Sequence, residues 1–333
     1  MLAFPFVEYW TFYLLFTISI LVLLLLDLGV FHRKAHAVSI KESTLWTIFW
    51  ISVALMFNVG FYFYCLYKFN LPEYANIVTD PSTGARTYAL EFLTGYIVEK
   101  CLAIDNIFVF AMIFSYFQIP KIYQHRILFW GILGALFFRG IFISIGSVLM
   151  QYEFIVIFFG ILLILTGIKM WVINSEDNND LGNNIIIRLL NRIFRVYPKI
   201  ESQNLFIKKN NLLHVTPIFI ALCFIELSDI IFSIDSVPAI FALTKEPFIV
   251  YTSNIFAIIG LRSMYFMLAG SMDKFMYIKY GLASVLIFVG LKMVYLNNAF
   301  GGKFPISLSL LIISILIGSS ILASVIRGKT TKK

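Results

Sequence analysis

Charged side chains are scarce in this sequence: only 13% of its 333 residues are Asp, Glu, Lys or Arg, whereas 60% are hydrophobic. That argues against a soluble globular domain, which must cover a large surface with polar groups. Cysteine is nearly absent. Cys65, Cys101 and Cys223 lie in apolar segments with no CxxC spacing, which argues against a disulfide framework or a thiolate metal site. There is no Gly-rich phosphate loop, Walker motif or Ser/His/Asp set, so neither ATP-driven transport by this chain nor an enzyme is expected. No permanent cofactor is expected either. The net charge of +8 invites a nucleic-acid partner, but its placement in loops gives another explanation.

Long apolar runs recur from end to end. At roughly 20 residues per crossing, nine spans are expected, near residues 9–30, 43–67, 88–117, 126–150, 154–173, 214–243, 248–270, 277–297 and 305–326. Backbone groups in hydrocarbon must pair internally, so each span is expected to be a helix. The first run has no basic flank and no small-residue cleavage site, and is taken as a retained span. With the N-terminus outside, seventeen of the 26 basic residues fall in inner segments and four in outer ones. That asymmetry places the protein in a cell (inner) membrane with a cytoplasmic C-terminus.

The segment 174–213 is the one long loop. "NSEDNNDLGNN" is a polar linker, and "IIIRLLNRIFR" sets Arg188, Arg192 and Arg195 on one helical face. Such a helix lies on the inner leaflet as an anchor, with partner docking as the alternative. Asp27 is placed near the inner mouth. His32 and His36 are spaced for metal but sit at a juxtamembrane turn, where solvated histidines are the commoner case.

Two segments echo each other. "EKCLAIDNIFVFAMIF" from Glu99 aligns with "DIIFSIDSVPAIFALT" from Asp229, setting Asp105–Asn106 against Asp235–Ser236. The next span of each half carries an arginine, Arg139 and Arg262. The third spans end alike in "LTGIKMW" and "FVGLKMV", pairing Lys169 with Lys292. Three spans per unit is an odd number, so two copies must run oppositely across the membrane, as in many secondary transporters. The expected fold is an all-α polytopic membrane protein of about nine helices with an inverted repeat of two three-helix units. Its parts are 1–87 (two N-terminal spans), 88–173 (first repeat), 174–213 (cytoplasmic loop), 214–300 (second repeat) and 301–333 (last span and basic tail).

Glu226, Asp229 and Asp235 share one span. Facing lipid, three carboxylates would cost on the order of 8–10 kcal/mol, so they must pair, bind a cation or take up protons. Lys100, Arg139 and Arg262 can balance some of the deep acids Glu91, Glu99, Asp105, Glu226, Asp229 and Asp235, but not all. Asp235 lies about 240° round an unbroken helix from Asp229. Convergence therefore calls for a distortion, and Pro238, which lacks an N–H for the Ile234 carbonyl, is the expected cause. Carboxylate, amide and carbonyl oxygens suit Mg²⁺, Ca²⁺ or Mn²⁺. Met112, one heptad past Asp105, would favour a softer ion, though packing is its commoner use.

"LEFLTGYIVEKCLAIDNIFVF" and "IELSDIIFSIDSVPAIFAL" resemble the two signature motifs of the TerC family of bacterial membrane proteins, and "DLGVFHRKAHAVSIKES" resembles its Alx-type branch. The resemblance implies about nine spans and a link to manganese(II) efflux, with a historical name from tellurium resistance. It carries the metal site to Glu99, Asp105, Asn106, Glu226, Asp229, Asp235 and Ser236, with Arg139, Arg262, Lys100 and Glu91 as supporting charges. The expected function is export of a divalent cation, Mn²⁺ first, in exchange for protons. The expected partners are the lipid bilayer and that ion, with no nucleic acid. The alternative is a non-transporting scaffold acting with membrane-protein partners, in metallation of secreted enzymes or a tellurium-resistance complex.

Overall fold

The computed structural model describes residues 3–26, 39–172, 194, 196–197, 200, 204–209, 212–269 and 277–330. The helices are α1 (Phe6–Leu26), α2 (Ile40–Phe69), α3 (Pro81–Tyr116), α4 (Lys121–Leu149), α5 (Glu153–Val172), α6 (Pro217–Phe241), α7 (Pro247–Ile259), α8 (Leu261–Leu268), α9 (Ile278–Leu291) and α10 (Ile306–Thr330). A π-helical turn at Lys292–Leu296 carries α9 on to Ala299. Asp27, His32, His36 and the basic segment with Arg188, Arg192 and Arg195 lie outside the described residues.

The helix starts follow from the sequence. Ser39 caps α2, accepting from the Glu42 amide at 3.2 Å, and Glu42 stands where a capping box puts it. Asp80 caps α3 by accepting from the Ser82 and Thr83 amides at 3.2 and 3.1 Å. Thr216 caps α6. Pro81, Pro217 and Pro247 each open a helix where no N–H is needed.

Among the described residues, seven helices are long and apolar enough to cross a membrane, and the bent pair α7–α8 makes an eighth. The helix α3, at 36 residues, is the longest, but its apolar run is broken by Glu91, Glu99, Lys100 and Asp105. Nine expected spans thus become seven or eight on length and hydropathy. The chain turns by 41° between α7 and α8, at Gly260.

One expectation failed, the helix break at Pro238. The helix α6 runs unbroken through Pro238 to Phe241. The proline sits in the last turn, where one missing hydrogen bond interrupts little of the helix, so it does not swing Asp235 towards Asp229. The loop before α6 was expected to hold a linker and a basic helix, both of which lie outside the described residues. It also holds a hairpin of β1 (Phe206–Lys209) and β2 (Leu212–Val215), antiparallel with Phe206 opposite Val215.

Small residues let α5 and α9 meet. A Cβ on Gly167 of α5 would lie 2.7 Å from the Ala283 carbonyl oxygen and 2.7 Å from Ile287 Cγ1 on α9. A Cβ on Gly290 of α9 would lie 2.6 Å from the Gly160 carbonyl oxygen and 2.7 Å from Ile164 Cγ1 on α5. Gly167 and Gly290 hold the same place in "LTGIKMW" and "FVGLKMV". Close backbone approach through small residues is how helices associate where water supplies no driving force. Around the N-terminal helices the core is aromatic instead: Phe4 just before α1, Tyr13, Phe61, Phe92, Phe248 and Phe256 join α1, α2, α3 and α7.

Candidate functional site

Arg139 of α4 is 1% exposed and ties three other helices together. Its guanidinium pairs with Glu99 of α3. Nη2 donates to Asp229 Oδ1 of α6 at 3.3 Å, and Nη1 donates to Asn254 Oδ1 of α7 at 2.5 Å. Asn106 of α3 donates to the same Asp229 oxygen at 3.5 Å. One arginine thus holds the equivalent acids of the two motifs, Glu99 and Asp229. Both are buried, and a buried carboxylate is tolerated only when paired in this way. Pairing remains incomplete, because Glu99 Oε2 and Asn254 Nδ2 have no hydrogen-bond partner among the described residues.

Beside this cluster opens a cavity of about 260 Å³. Asp105 and Asn106 line it from α3, Asp235 and Ser236 from α6, and Arg139 from α4. Thr166, Lys169 and Met170 line it from α5, while Leu282 and Leu286 of α9 give it an apolar wall. The pairs Asp105–Asn106 and Asp235–Ser236, matched in the sequence, therefore face one space. Asp235 reaches it without a helix break, because Asp229 and Asp235 do different jobs on different sides of α6. Asp229 turns to Arg139 and Asp235 to the cavity.

The other expected residues stand apart. Glu226 does not line the cavity. Its carboxylate packs against Gly134 of α4, where a Cβ would overlap it. Lys100 balances no acid among its hydrogen bonds; it donates to the Ala257 carbonyl at 2.8 Å and approaches the Tyr96 ring at 5.7 Å. Glu91 pairs with Lys303 at 2.8 Å and accepts from Thr244 at 2.5 Å. Arg262 is buried on α8 and is not among the lining residues. Met112 does not line the cavity either; Met170 does.

Sequence reasoning missed Asn254 and Thr166 as site residues and used Lys169 only as a repeat marker. Asn254 was detectable as a buried amide in an apolar span, but its counterpart in the first repeat is Gly131, so the repeat did not flag it.

Among the described residues, no three Asp, Glu, His or Cys side chains come close enough to hold a metal by themselves. A cation in the cavity would rest on Asp105 and Asp235 with the neutral oxygens of Asn106, Ser236 and Thr166 and with water. Ser236 Oγ is buried and has no hydrogen-bond partner among the described residues, so it is available for such a role. Oxygen donors of this kind suit a hard divalent ion.

Comparison with known proteins agrees with the membrane architecture. The family described as "Integral membrane protein TerC family" matches residues 85–332. A Myxococcus xanthus protein, "Uncharacterized membrane protein STKORF319", is 46% identical over 316 residues, covering 94% of this chain and 92% of its own. An Escherichia coli K12 protein named "Putative membrane-bound redox modulator Alx" is 42% identical over 284 residues, covering 85% of each chain. No solved structure matches. With the family match spanning most of the sequence and relatives this similar over nearly its whole length, the chain belongs to the TerC family of integral membrane proteins.

Proposed function

We propose that this protein is a secondary transporter that exports a divalent cation, Mn²⁺ first, from the cytoplasm across a cell membrane. The observation that carries this is the shared cavity of Asp105–Asn106 and Asp235–Ser236. Charge supports it. Glu99, Asp105, Asp229 and Asp235 against Arg139 and Lys169 leave two negative charges around the cavity and its cluster, which one divalent cation neutralises. The thioether of Met170 favours Mn²⁺ over the harder Mg²⁺ and Ca²⁺. The proposed coupling is exchange for protons on the carboxylates the cation leaves.

The membrane arrangement belongs to the same proposal. Counting α3 and the bent α7–α8 pair as spans gives nine, with the N-terminus outside and the C-terminus cytoplasmic. The units α3–α5 and α6–α9 are then inverted repeats. The reciprocal contacts of Gly167 and Gly290 support a two-fold relation, because residues related by such an axis exchange partners. The relatives' redox name finds little footing here: Cys65, Cys101 and Cys223 are free and lie on three different helices.

The test is Mn²⁺ flux into proteoliposomes. Asp105→Asn and Asp235→Asn should each abolish it while the protein stays inserted; undiminished flux in either would refute the site. A pH gradient without effect on flux would remove the proton coupling alone.

A further inference from the structure

Glu91 is paired differently from Glu99 and Asp229. Arg139 is as deeply buried as the two acids it holds. The side chain of Lys303, in contrast, is 65% exposed, while the Glu91 carboxylate it pairs with is 2% exposed. An ammonium that already stands in water loses little by letting go, because exposed ion pairs contribute little. A carboxylate left behind in the interior attracts a replacement cation. Thr244 donates to its other oxygen at 2.5 Å, but a hydroxyl supplies no charge. Lys292, buried in the π turn after α9, attracts Glu91 and repels Lys303. That repulsion eases the departure of Lys303. The attraction keeps the carboxylate from holding another cation tightly, which suits a site that cargo must leave.

This group stands at the far end of an apolar body that begins at the cavity. Glu91 and Asp105 are fourteen residues apart on α3, close to four turns, so they share one stripe of the helix about 21 Å apart. Between them on that stripe, Val98 belongs to a buried cluster with Ala239 of α6, Leu243 just after it, Leu286 and Val289 of α9, and Met293. Leu102 and Leu286 belong both to this body and to the cavity wall. At its other end Leu90, Leu243 and Met293 are the chain neighbours of Glu91, Thr244 and Lys292. Three helices thus lead from the carboxylate cavity in one direction and end at Glu91 and its partners. In the membrane arrangement proposed above, that direction is outward.

We propose that Glu91 is the last stop of the exported cation and that Lys303 closes it, the ammonium and the leaving cation replacing each other on the carboxylate; this rests on the export function proposed above. In the state described here Lys303 holds Glu91, and the apolar body separates the pair from Asp105 and Asp235. For a cation to leave, the body parts along Val98, Ala239 and Val289. The carboxylate then receives the cation while Lys303 swings into water. When the cation departs, the lysine returns and the outer end is shut again. The lysine is a tethered stand-in for the cargo, present whenever the cargo is not.

Thiol accessibility tests this on the full chain. The three native cysteines are replaced by alanine, and Mn²⁺ flux of that parent is measured. Val98→Cys is then reacted with a membrane-impermeant cationic methanethiosulfonate, applied separately to the two sides of proteoliposomes without Mn²⁺. From the outer side, adding Lys303→Met or Glu91→Gln should each speed the reaction about 5-fold, a shift of about 1 kcal/mol towards the open state. Lys303→Arg, which keeps the charge, should react like the parent. Mn²⁺ added outside should slow the reaction of the Lys303→Met protein and leave the Glu91→Gln protein unchanged. Rates unchanged in both variants, or raised in Lys303→Met alone, would overturn the closure. Opening without protection by Mn²⁺, in a parent that carries Mn²⁺, would overturn Glu91 as a stop. Opening as expected in a parent with no Mn²⁺ flux would refute the cargo and leave the closure. Leu243→Cys repeats the measurement should Val98→Cys express poorly.

Discussion

The helix α4 and the α7–α8 pair carry Arg139 and Arg262 at matching places after the two similar motifs, yet one is a single continuous helix and the other is bent by 41°. The sequence difference is small and local. Gly260 stands two residues before Arg262, where Phe137 stands before Arg139. Phe137 is exposed on a continuous helix, whereas a Cβ on Gly260 would lie 2.6 Å from the Lys100 Nζ. The bend lets the lysine approach, and the lysine in turn donates to Ala257 just before it. Matched motifs thus do not imply matched conformations. The two similar segments agree at the cavity, where Asp105–Asn106 and Asp235–Ser236 both line it, and differ at the arginine-bearing helices.

The sharpest way to break this comparison is at the matched aspartates. Asp105→Asn and Asp235→Asn should lower Mn²⁺ flux alike, by about 100-fold or more if each carboxylate is a ligand whose charge acts in a low-dielectric site. A large loss in one with near-normal flux in the other would show that the repeats are not equivalent at the cargo.

Next in size is Arg139. Arg139→Met strands Glu99 and Asp229 as buried carboxylates and should cost about 3–5 kcal/mol of stability. Thermal unfolding in detergent measures it. Adding Asp229→Asn should recover part of the loss, since one stranded charge is then removed. No recovery would mean that Asp229 does not depend on the arginine.

The seam gives a smaller and more symmetrical effect. Gly167→Val and Gly290→Val each force a side chain against a facing carbonyl and isoleucine, and each should destabilise by about 1–3 kcal/mol. Gly60→Ala, with no atom within 4 Å of its Cβ, is the control and should be close to neutral. Effects that differ widely between Gly167 and Gly290 would argue against a two-fold seam.

The caps give the smallest difference. The Asp80 carboxyl is held down to about 2 from its ordinary 3.8 by the hydroxyls and amides of Thr83 and Ser82. The matching helix α6 is capped by Thr216, which carries no charge to lose. A depressed pKa stabilises above the unfolded value and fails as pH falls through the folded one. Protection of the Ser82 and Thr83 amides, corrected for intrinsic exchange, should therefore fall as pH drops from about 4 to about 2. Protection of the Phe219 amide should not.

How much of this was legible in the sequence depended on whether the signal was local. Apolar runs located the helices, because length and hydropathy alone decide what can lie in hydrocarbon. The motif acids were legible as well, since a carboxylate in such a run needs a reason to be there. What tertiary packing decides was not. Glu226 looked like part of the set until Gly134 of α4 gave it a different neighbour. Pro238 looked like a break, but lies too near the end of α6 to make one. Gly260, which makes the real bend, is an ordinary glycine by sequence. Lys100 looked like a counter-charge and instead supports the backbone of α7.

The most direct test is crystallographic. Crystals grown with Mn²⁺ and measured at the manganese absorption edge should show an anomalous peak between the carboxylates of Asp105 and Asp235, with Asn106 and Ser236 as neighbours. A fully occupied peak elsewhere, with those two carboxylates bare, would contradict the account.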